Sequence, residues 1–250
     1  CAYVIMYAII GRIKHMIPKK IHYVWVGGND KPADIKRCMA TWKNHLSDYE
    51  IIEWNEDNFD IDSHPYAKAA YEAKKWAYVS DYIRAYVIYK EGGIYLDTDV
   101  LVLDNFDKFL ENRAFVGYET PDYPFTAVFG AEKQHPLVEA ILNYYEGLDF
   151  KFDRKNQMAE VNTKSVSDIL VQEFGCALGN KRQTLRTGIE VYTEDVLCNP
   201  SKNSTTIHVF TGTWMEGTKP LMRKINKFLK LRLTSRAKAG AFRRFIMKNK

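Results

Sequence analysis

The chain has 250 residues, 46% of them hydrophobic and 14% aromatic, enough apolar material for one sizeable core. Its net charge of +5 belongs to one end: residues 219–250 hold 12 of the 36 Lys and Arg and no Asp or Glu, leaving 24 basic against 31 acidic side chains in 1–218, near −7. That argues against nucleic-acid binding by the body, while four scattered cysteines (Cys1, Cys38, Cys176, Cys198) without CxxC spacing argue against a disulfide scaffold or a thiolate zinc site and make a reducing, cytosolic setting the default.

No window offers about 18 uninterrupted apolar residues, the length of a membrane span. The opening "CAYVIMYAIIGRIKHM" has a shorter apolar run without a basic flank or a small-residue cleavage site. "MIPKK" at 16–20 reads as a native start, so residues 1–16 are expected to be a non-native or upstream leader.

"KIHYVWVGG" (20–28) is an apolar strand ending in two glycines, the shape of a first strand-to-helix turn. "DIKRCMATWKNHL" (34–46) follows as an amphipathic helix with Asp34 as its N-cap, and "YEIIEWN" (49–55) as a second strand. Residues 64–93 are Ala-rich and helical, stopped by Gly92-Gly93. The next strand, "GGIYLDTDVLVL" (92–103), carries Asp97 and Asp99 on one side of an extended chain. "RAFVGYE" (113–119) and "FTAVFGAE" (125–132) predict strands, "HPLVEAILNYYEGL" (135–148) a helix with Pro at its start, "SVSDILVQEFG" (165–175) a helix, and "TIHVFTGTW" (206–214) a last strand before a basic, helical tail. Strand–helix alternation over the first hundred residues predicts an α/β fold with parallel pairing and helices on both faces.

Two neighbouring carboxylates in an apolar strand repel and are expensive to desolvate. In an α/β sheet, ligands bind beyond the carboxyl ends of strands, and a hard divalent cation such as Mg²⁺ or Mn²⁺ there makes the pair tolerable. A bare DxD is more often solvated or paired with Lys, so context decides. Asp81 and Arg84 share a helix face at i, i+3 within an otherwise apolar stretch; Arg84 offers a planar cation to a phosphate or sugar, and Asp81 accepts from hydroxyls.

At this point "SDYIRAYVIYKEGGIYLDTD" (80–99) resembles the SDxxRxxxLxxxGGxYLDxD signature of glycosyltransferase family 32, the bacterial capsular-polysaccharide type, whose core is similar to that of the large clostridial glucosylating toxins. "IPKKIHYVWVGG" and "IHVFTGTW" resemble its first and last blocks, so the likeness runs over about 17–214. The resemblance implies a GT-A-type nucleotide-sugar-binding fold with a mostly parallel central sheet over 17–218, while charge and composition set 219–250 apart as a basic amphipathic tail. It also implies a nucleotide-sugar donor (a UDP-sugar favoured), a Mn²⁺ or Mg²⁺ cofactor, and retention of anomeric configuration. Carried onto this chain, Asp99 ligates the metal, with Asp97 and His208 completing the set. Trp25, Val26, Tyr95, Asp97 and Thr98 contact the nucleotide, with Trp25 stacking on the base, and Asp81 and Arg84 hold the donor sugar. The catalytic group is then Asp81, Arg84, Asp97 and Asp99. Thr213-Trp214 replaces the more usual Ser-Trp and keeps the hydroxyl.

The tail interleaves Phe228, Leu229, Leu231, Leu233, Phe242, Phe245, Ile246 and Met247 with Lys and Arg. That composition suits an anionic membrane surface and, with it, a glycan or lipid-linked acceptor at the inner face of the plasma membrane; a solvated terminus is the plainer alternative. Two other functions remain open from the residues alone: a metal-dependent nucleotide-sugar pyrophosphatase or hydrolase, and a non-catalytic membrane-associated binding module.

Overall fold

A computed structural model describes residues 17–151, 162–212 and 221–248; the leader at 1–16, Thr213-Trp214 and the expected boundary at 218 lie outside the described residues. A seven-stranded sheet has the order β2-β1-β3-β6-β5-β8-β7. Its strands are β1 (Lys20–Val24), β2 (Glu50–Trp54), β3 (Gly93–Leu96), β5 (Ala114–Gly117), β6 (Val128–Ala131), β7 (Gln183–Thr184) and β8 (Ile189–Tyr192). β1 pairs in parallel with β2 and β3, and β5 with β8; β6 runs against β3 and β5, and β7 against β8. Five strands therefore point one way, which is the mostly parallel α/β sheet the sequence predicts. A separate antiparallel pair joins β4 (Val100–Val102) to β9 (Thr206–His208).

Side chains alternate across the sheet, so each strand feeds two cores. On one face Tyr95, Val116, Phe129 and Val191 meet Val79, Ile83 and Val87 of α3 (Trp76–Glu91), Ile141 of α4 (Pro136–Tyr145) and Leu170 of α5 (Asn162–Gln172). On the other, Ile21, Tyr23, Ile94 and Leu96 pack on Trp42 of α1 (Ala33–His45), Phe106, Phe109 and Leu197 of α6 (Glu194–Leu197). Helices on both faces follow from that double burial.

The glycine pair at 92–93 has a geometric cause. Gly92 closes α3 with its N–H on Ile88 O at φ +66°, and a Cβ on Gly93, at φ +113°, would lie 2.8 Å from His22 Nε2. His22 is buried between β1, β2 and this turn, with Nε2 2.9 Å from Gly92 O and Nδ1 accepting from Trp54 Nε1–H at 3.0 Å.

Several expectations are corrected. Residues 64–93 form two helices, α2 (Pro65–Glu72) and α3, because Lys74 turns left-handed at φ 57° between them. Asp34 is not the cap of α1; Pro32 holds that position without a side-chain hydrogen bond, and Asp34 accepts from Lys227 Nζ at 2.5 Å. The aspartates of "YLDTD" do not lie within one strand, since β3 ends at Leu96. The last strand stops at His208. β7, β8 and α6 arise in a region whose sequence is polar and short in period.

The tail is helical, as α7 (Leu221–Lys230) and α8 (Arg236–Lys248). It also contributes to the body: Leu231, Leu233 and Ala239 are buried against Cys38, Leu101, Leu103, Ile207 and Val209. Lys230 donates to His208 O at 2.7 Å, and Arg236 to Ser204 O and to Asp104. Burying a Leu side chain is worth about 1.5–3 kcal/mol, so these contacts hold α7 and α8 to the second sheet.

Candidate active site

β3 delivers the aspartates by ending abruptly. Asp97 N–H donates to Ala127 O at 3.0 Å, and Val100 N–H returns to Asp97 O at 3.1 Å, closing a turn over Asp97-Thr98-Asp99. The chain then leaves the large sheet for β4, whose partner β9 ends at His208 opposite Val100. The turn is therefore flanked by the carboxyl end of β3 on one side and the end of β9 on the other.

Underneath runs α3. Its buried face sets Arg84, 6% exposed, against this turn. Arg84 Nη2 lies 2.5 Å from Asp81 Oδ1 and Nη1 3.6 Å from Asp97 Oδ1. The same guanidinium donates to Asn162 Oδ1 and sits 5.6 Å above the rings of Tyr95 and Phe125. Asn162 Nδ2 in turn donates to Tyr145 Oη at 2.5 Å. Burial opposes charge on Arg84, but the two carboxylates outweigh it and raise its pKa. Burial pushes the Asp81 carboxyl up to about 6, with Arg84 pulling down and Asp97 pushing further up. Burial also raises Asp97, against the pull of Arg84.

Asp99 is the exception. Burial would raise it, yet His208 and the donors of Thr211 hold it at about 2. Thr211 N–H and Oγ1–H reach Asp99 Oδ2 at 2.8 and 3.0 Å, and His208 Nε2 lies 3.3 Å from Asp99 Oδ1. Ligand atoms of Asp97, Asp99 and His208 all fall within 4.8 Å of one another. Two carboxylates and one imidazole form a donor set that suits Mn²⁺ and accepts Mg²⁺ less readily. These residues fit a divalent ion.

All nine residues singled out from the sequence line one cleft of about 490 Å³. On its lining, Trp25 Nε1–H donates to Asn29 O at 2.7 Å, with Lys31 Nζ 5.4 Å from the ring centroid. Val26 lines the same wall as Trp76 and Tyr78. Gly27, at φ +94°, is required here, because a Cβ would stand 2.6 Å from the Trp76 ring. The cleft thus combines the aromatic rings of Trp25, Trp76 and Tyr78 with the acidic turn and Arg84.

Other residues at the site carried weaker sequence signals. Glu119, just beyond β5, brings Oε2 to 3.7 Å from His208 Nδ1; an acid closing the apolar run "RAFVGYE" was the visible hint. Asn162 holds Arg84 from the start of α5. Phe210 adopts φ 61°, a strained value for an aromatic residue. Its ring centroid lies 3.8 Å from that of His208, with Lys230 Nζ 4.4 Å away on the same ring.

Fold and turn together define an α/β protein that presents a DXD motif beside a buried Asp–Arg pair. Residues 32–116 match the family described as "glycosyltransferase sugar-binding region containing DXD motif". Over 132 residues it is 30% identical to inositol phosphoceramide mannosyltransferase 3 of Schizosaccharomyces pombe (strain 972 / ATCC 24843), covering 51% of this chain and 37% of the relative. Inositol phosphoceramide mannosyltransferase 2 of the same organism is 29% identical over 135 residues, covering 52% and 39%. The chain spans well under half the length of these curated relatives. Among solved structures it resembles PaToxG glycosyltransferase with a TM-score of 0.45 and 19% identity, over 69% of this chain and 75% of that one.

Proposed function

We propose that the protein is a retaining glycosyltransferase that moves a sugar from a nucleotide-diphosphate donor, a UDP-sugar by preference, to a glycan or lipid-linked acceptor in surface-polysaccharide synthesis. The observation that carries this is the convergence of Asp97, Asp99 and His208 beside the buried Asp81–Arg84 pair. Trp25 stacks on the base, with Val26 beside it. Tyr95, Asp97 and Thr98 line the ribose and diphosphate path, and Asp81 and Arg84 hold the donor sugar. Asp97, Asp99 and His208 hold Mn²⁺ or Mg²⁺, which when bound neutralises charge developing on the diphosphate.

The chain's own residues do the rest. Arg84 is already fixed by Asp81, Asp97 and Asn162, so it meets the departing diphosphate without reorganising. Asp81, tied to Arg84, accepts from sugar hydroxyls and is not free to attack carbon. No side chain in the cleft is nominated as a covalent nucleophile, which fits departure and transfer on one face of the sugar.

A thermal-shift panel tests the function directly. UDP-, GDP- and CMP-sugars with Mn²⁺ should separate, with a UDP-sugar raising Tm most. Trp25→Phe should flatten the Trp fluorescence response to UDP plus metal. A panel in which no nucleotide shifts Tm favours the non-catalytic binding module, and release of sugar-1-phosphate favours the pyrophosphatase.

The acceptor side is proposed to face the inner leaflet of the plasma membrane, with the protein peripheral and cytoplasmic. Among the described residues, no helix is long and apolar enough to cross a membrane. Leu221, Met222, Ile225 and Phe228 stand exposed along α7, with Lys224 and Lys227 on the same helix. A groove of about 340 Å³ lined by Lys224, Lys227, Phe228 and Leu231 reaches Phe210, which also lines the donor cleft. The two curated relatives are named inositol phosphoceramide mannosyltransferases, which is consistent with a lipid substrate here. Leu221→Ser/Ile225→Ser/Phe228→Ser should weaken binding to phosphatidylglycerol vesicles by about tenfold or more with unchanged Tm, and salt should weaken the wild type by screening over about 10 Å at 0.1 M. Equal binding by the triple variant and the wild type would remove α7 from the membrane contact.

A further inference from the structure

His208 has two faces. Nε2 looks toward Asp99, while Nδ1 looks toward Glu119 and is buried without a hydrogen-bond partner. Cys198 lies on that second side as a free, fully buried thiol at the end of α6, and its carbonyl accepts from His208 N–H at 2.9 Å. Ligand atoms of Glu119, Cys198 and His208 all fall within 4.8 Å of one another. An orphaned imidazole nitrogen, a carboxylate and a thiol from three separate elements therefore converge behind the donor cleft.

We propose that Glu119, Cys198 and His208 Nδ1 form a second cation site, selective for Zn²⁺ and similarly thiophilic ions, that takes His208 away from the Asp97–Asp99 site. One thiolate, one imidazole and one carboxylate make a borderline-soft set with a fourth position left for water. The Asp97–Asp99–His208 set contains no sulfur and favours harder ions. A neutral imidazole has one lone pair. Zinc on Nδ1 leaves the proton on Nε2, where it is donated to Asp99, so the same ring cannot ligate an ion on the other side. Asp99 and Glu119 favour the protonated ring of His208, so entry of zinc releases two protons to solvent, one from the Cys198 thiol and one from His208 Nδ1. Glu119 and His208 both line the donor cleft, which supplies the route in. Lys230 lies beside the same cluster, donating to His208 O at 2.7 Å.

The binding site stands independently of the donor assignment; only the inhibition rests on it. Full-length protein stripped with a chelator and titrated with Co²⁺ should develop a thiolate-to-cobalt absorption band that one equivalent of Zn²⁺ erases. Cys198→Ser should lose the band and Cys176→Ser should keep it. Glu119→Gln should bind Zn²⁺ at least about tenfold more weakly, which preserves a readout should Cys198→Ser fail to fold. No band in the wild type, a band that survives in folded Cys198→Ser, or unchanged zinc affinity in Glu119→Gln would each overturn the site. With Mn²⁺ and a UDP-sugar, Zn²⁺ should lower wild-type turnover by about tenfold or more and spare Cys198→Ser; equal inhibition of both overturns the coupling. A cobalt band with no turnover in either protein supports the zinc site and counts against the donor assignment.

Discussion

Asp99→Ala should lower metal-dependent turnover of a nucleotide sugar by about 10³-fold or more, since it removes the carboxylate best suited to bind an ion. Asp99 is the one acid of the turn held well below its usual pKa, at about 2, and so stays charged without metal. The substitution also strips the acceptor from Thr211 N–H and Oγ1–H. A buried donor left unmade costs about 1–3 kcal/mol, so a moderate fall in Tm accompanies the loss of activity. Asp99→Asn separates the two effects: its amide oxygen still serves Thr211, so stability is largely kept while turnover is lost. Turnover with Mn²⁺ and Tm on both variants check this. Near-wild-type turnover in Asp99→Asn would end the assignment.

Arg84→Met should be the most damaging single change to the fold. It leaves Asp81 and Asp97 facing each other in a buried site without their shared cation, and leaves Asn162 Oδ1 without a donor. Breaking a buried pair from one side costs about 3–5 kcal/mol. For a chain of this size that lowers Tm by roughly 10 °C. Arg84→Lys recovers charge but not the fork that reaches Asp81, Asp97 and Asn162 together, so it should stay well below wild type in donor binding. Asp81→Asn in the Arg84→Met background removes one orphaned charge and should regain part of the lost Tm. A folded Arg84→Met with unchanged Tm and donor affinity would show that the pair is ornamental.

Much of this site was legible in the sequence because its chemistry is local. Asp81 and Arg84 are three residues apart on one helix, and Asp97 and Asp99 two apart at the end of an apolar run. Periodicity located both. It could not show that "YLDTDVLVL" changes sheets, because a turn closed by Val100 N–H on Asp97 O uses no Gly or Pro. The break at Lys74 was silent for a similar reason: nothing in "EAKKW" forbids a helix, yet Lys74 turns left-handed, with its N–H on Tyr71 O and that of Lys75 on Ala70 O. β8 is four residues long between polar flanks, too short to show a period. Glu119, Cys198 and Lys230 were invisible as a group, since only the tertiary fold brings positions so far apart in the chain to one histidine. Lys230 was counted with the tail's surface charge, whereas it is held against His208 O.

The handover at the DTD turn also sets an order of events during synthesis. β1, β2 and β3 emerge together and pair with one another, whereas β4 waits for β9, about a hundred residues further along the chain. Until then Val100, Leu101 and Val102, all fully buried in the finished protein, present a bare apolar edge, the kind of surface that recruits other chains. Pairing across so long a loop is intrinsically slow. In the nascent chain the Asp81–Arg84 pair on α3 can therefore form early, while the acidic turn stays half-built until β9 arrives. Expression should accordingly depend on chaperone supply and temperature more steeply than the size of the sheet suggests.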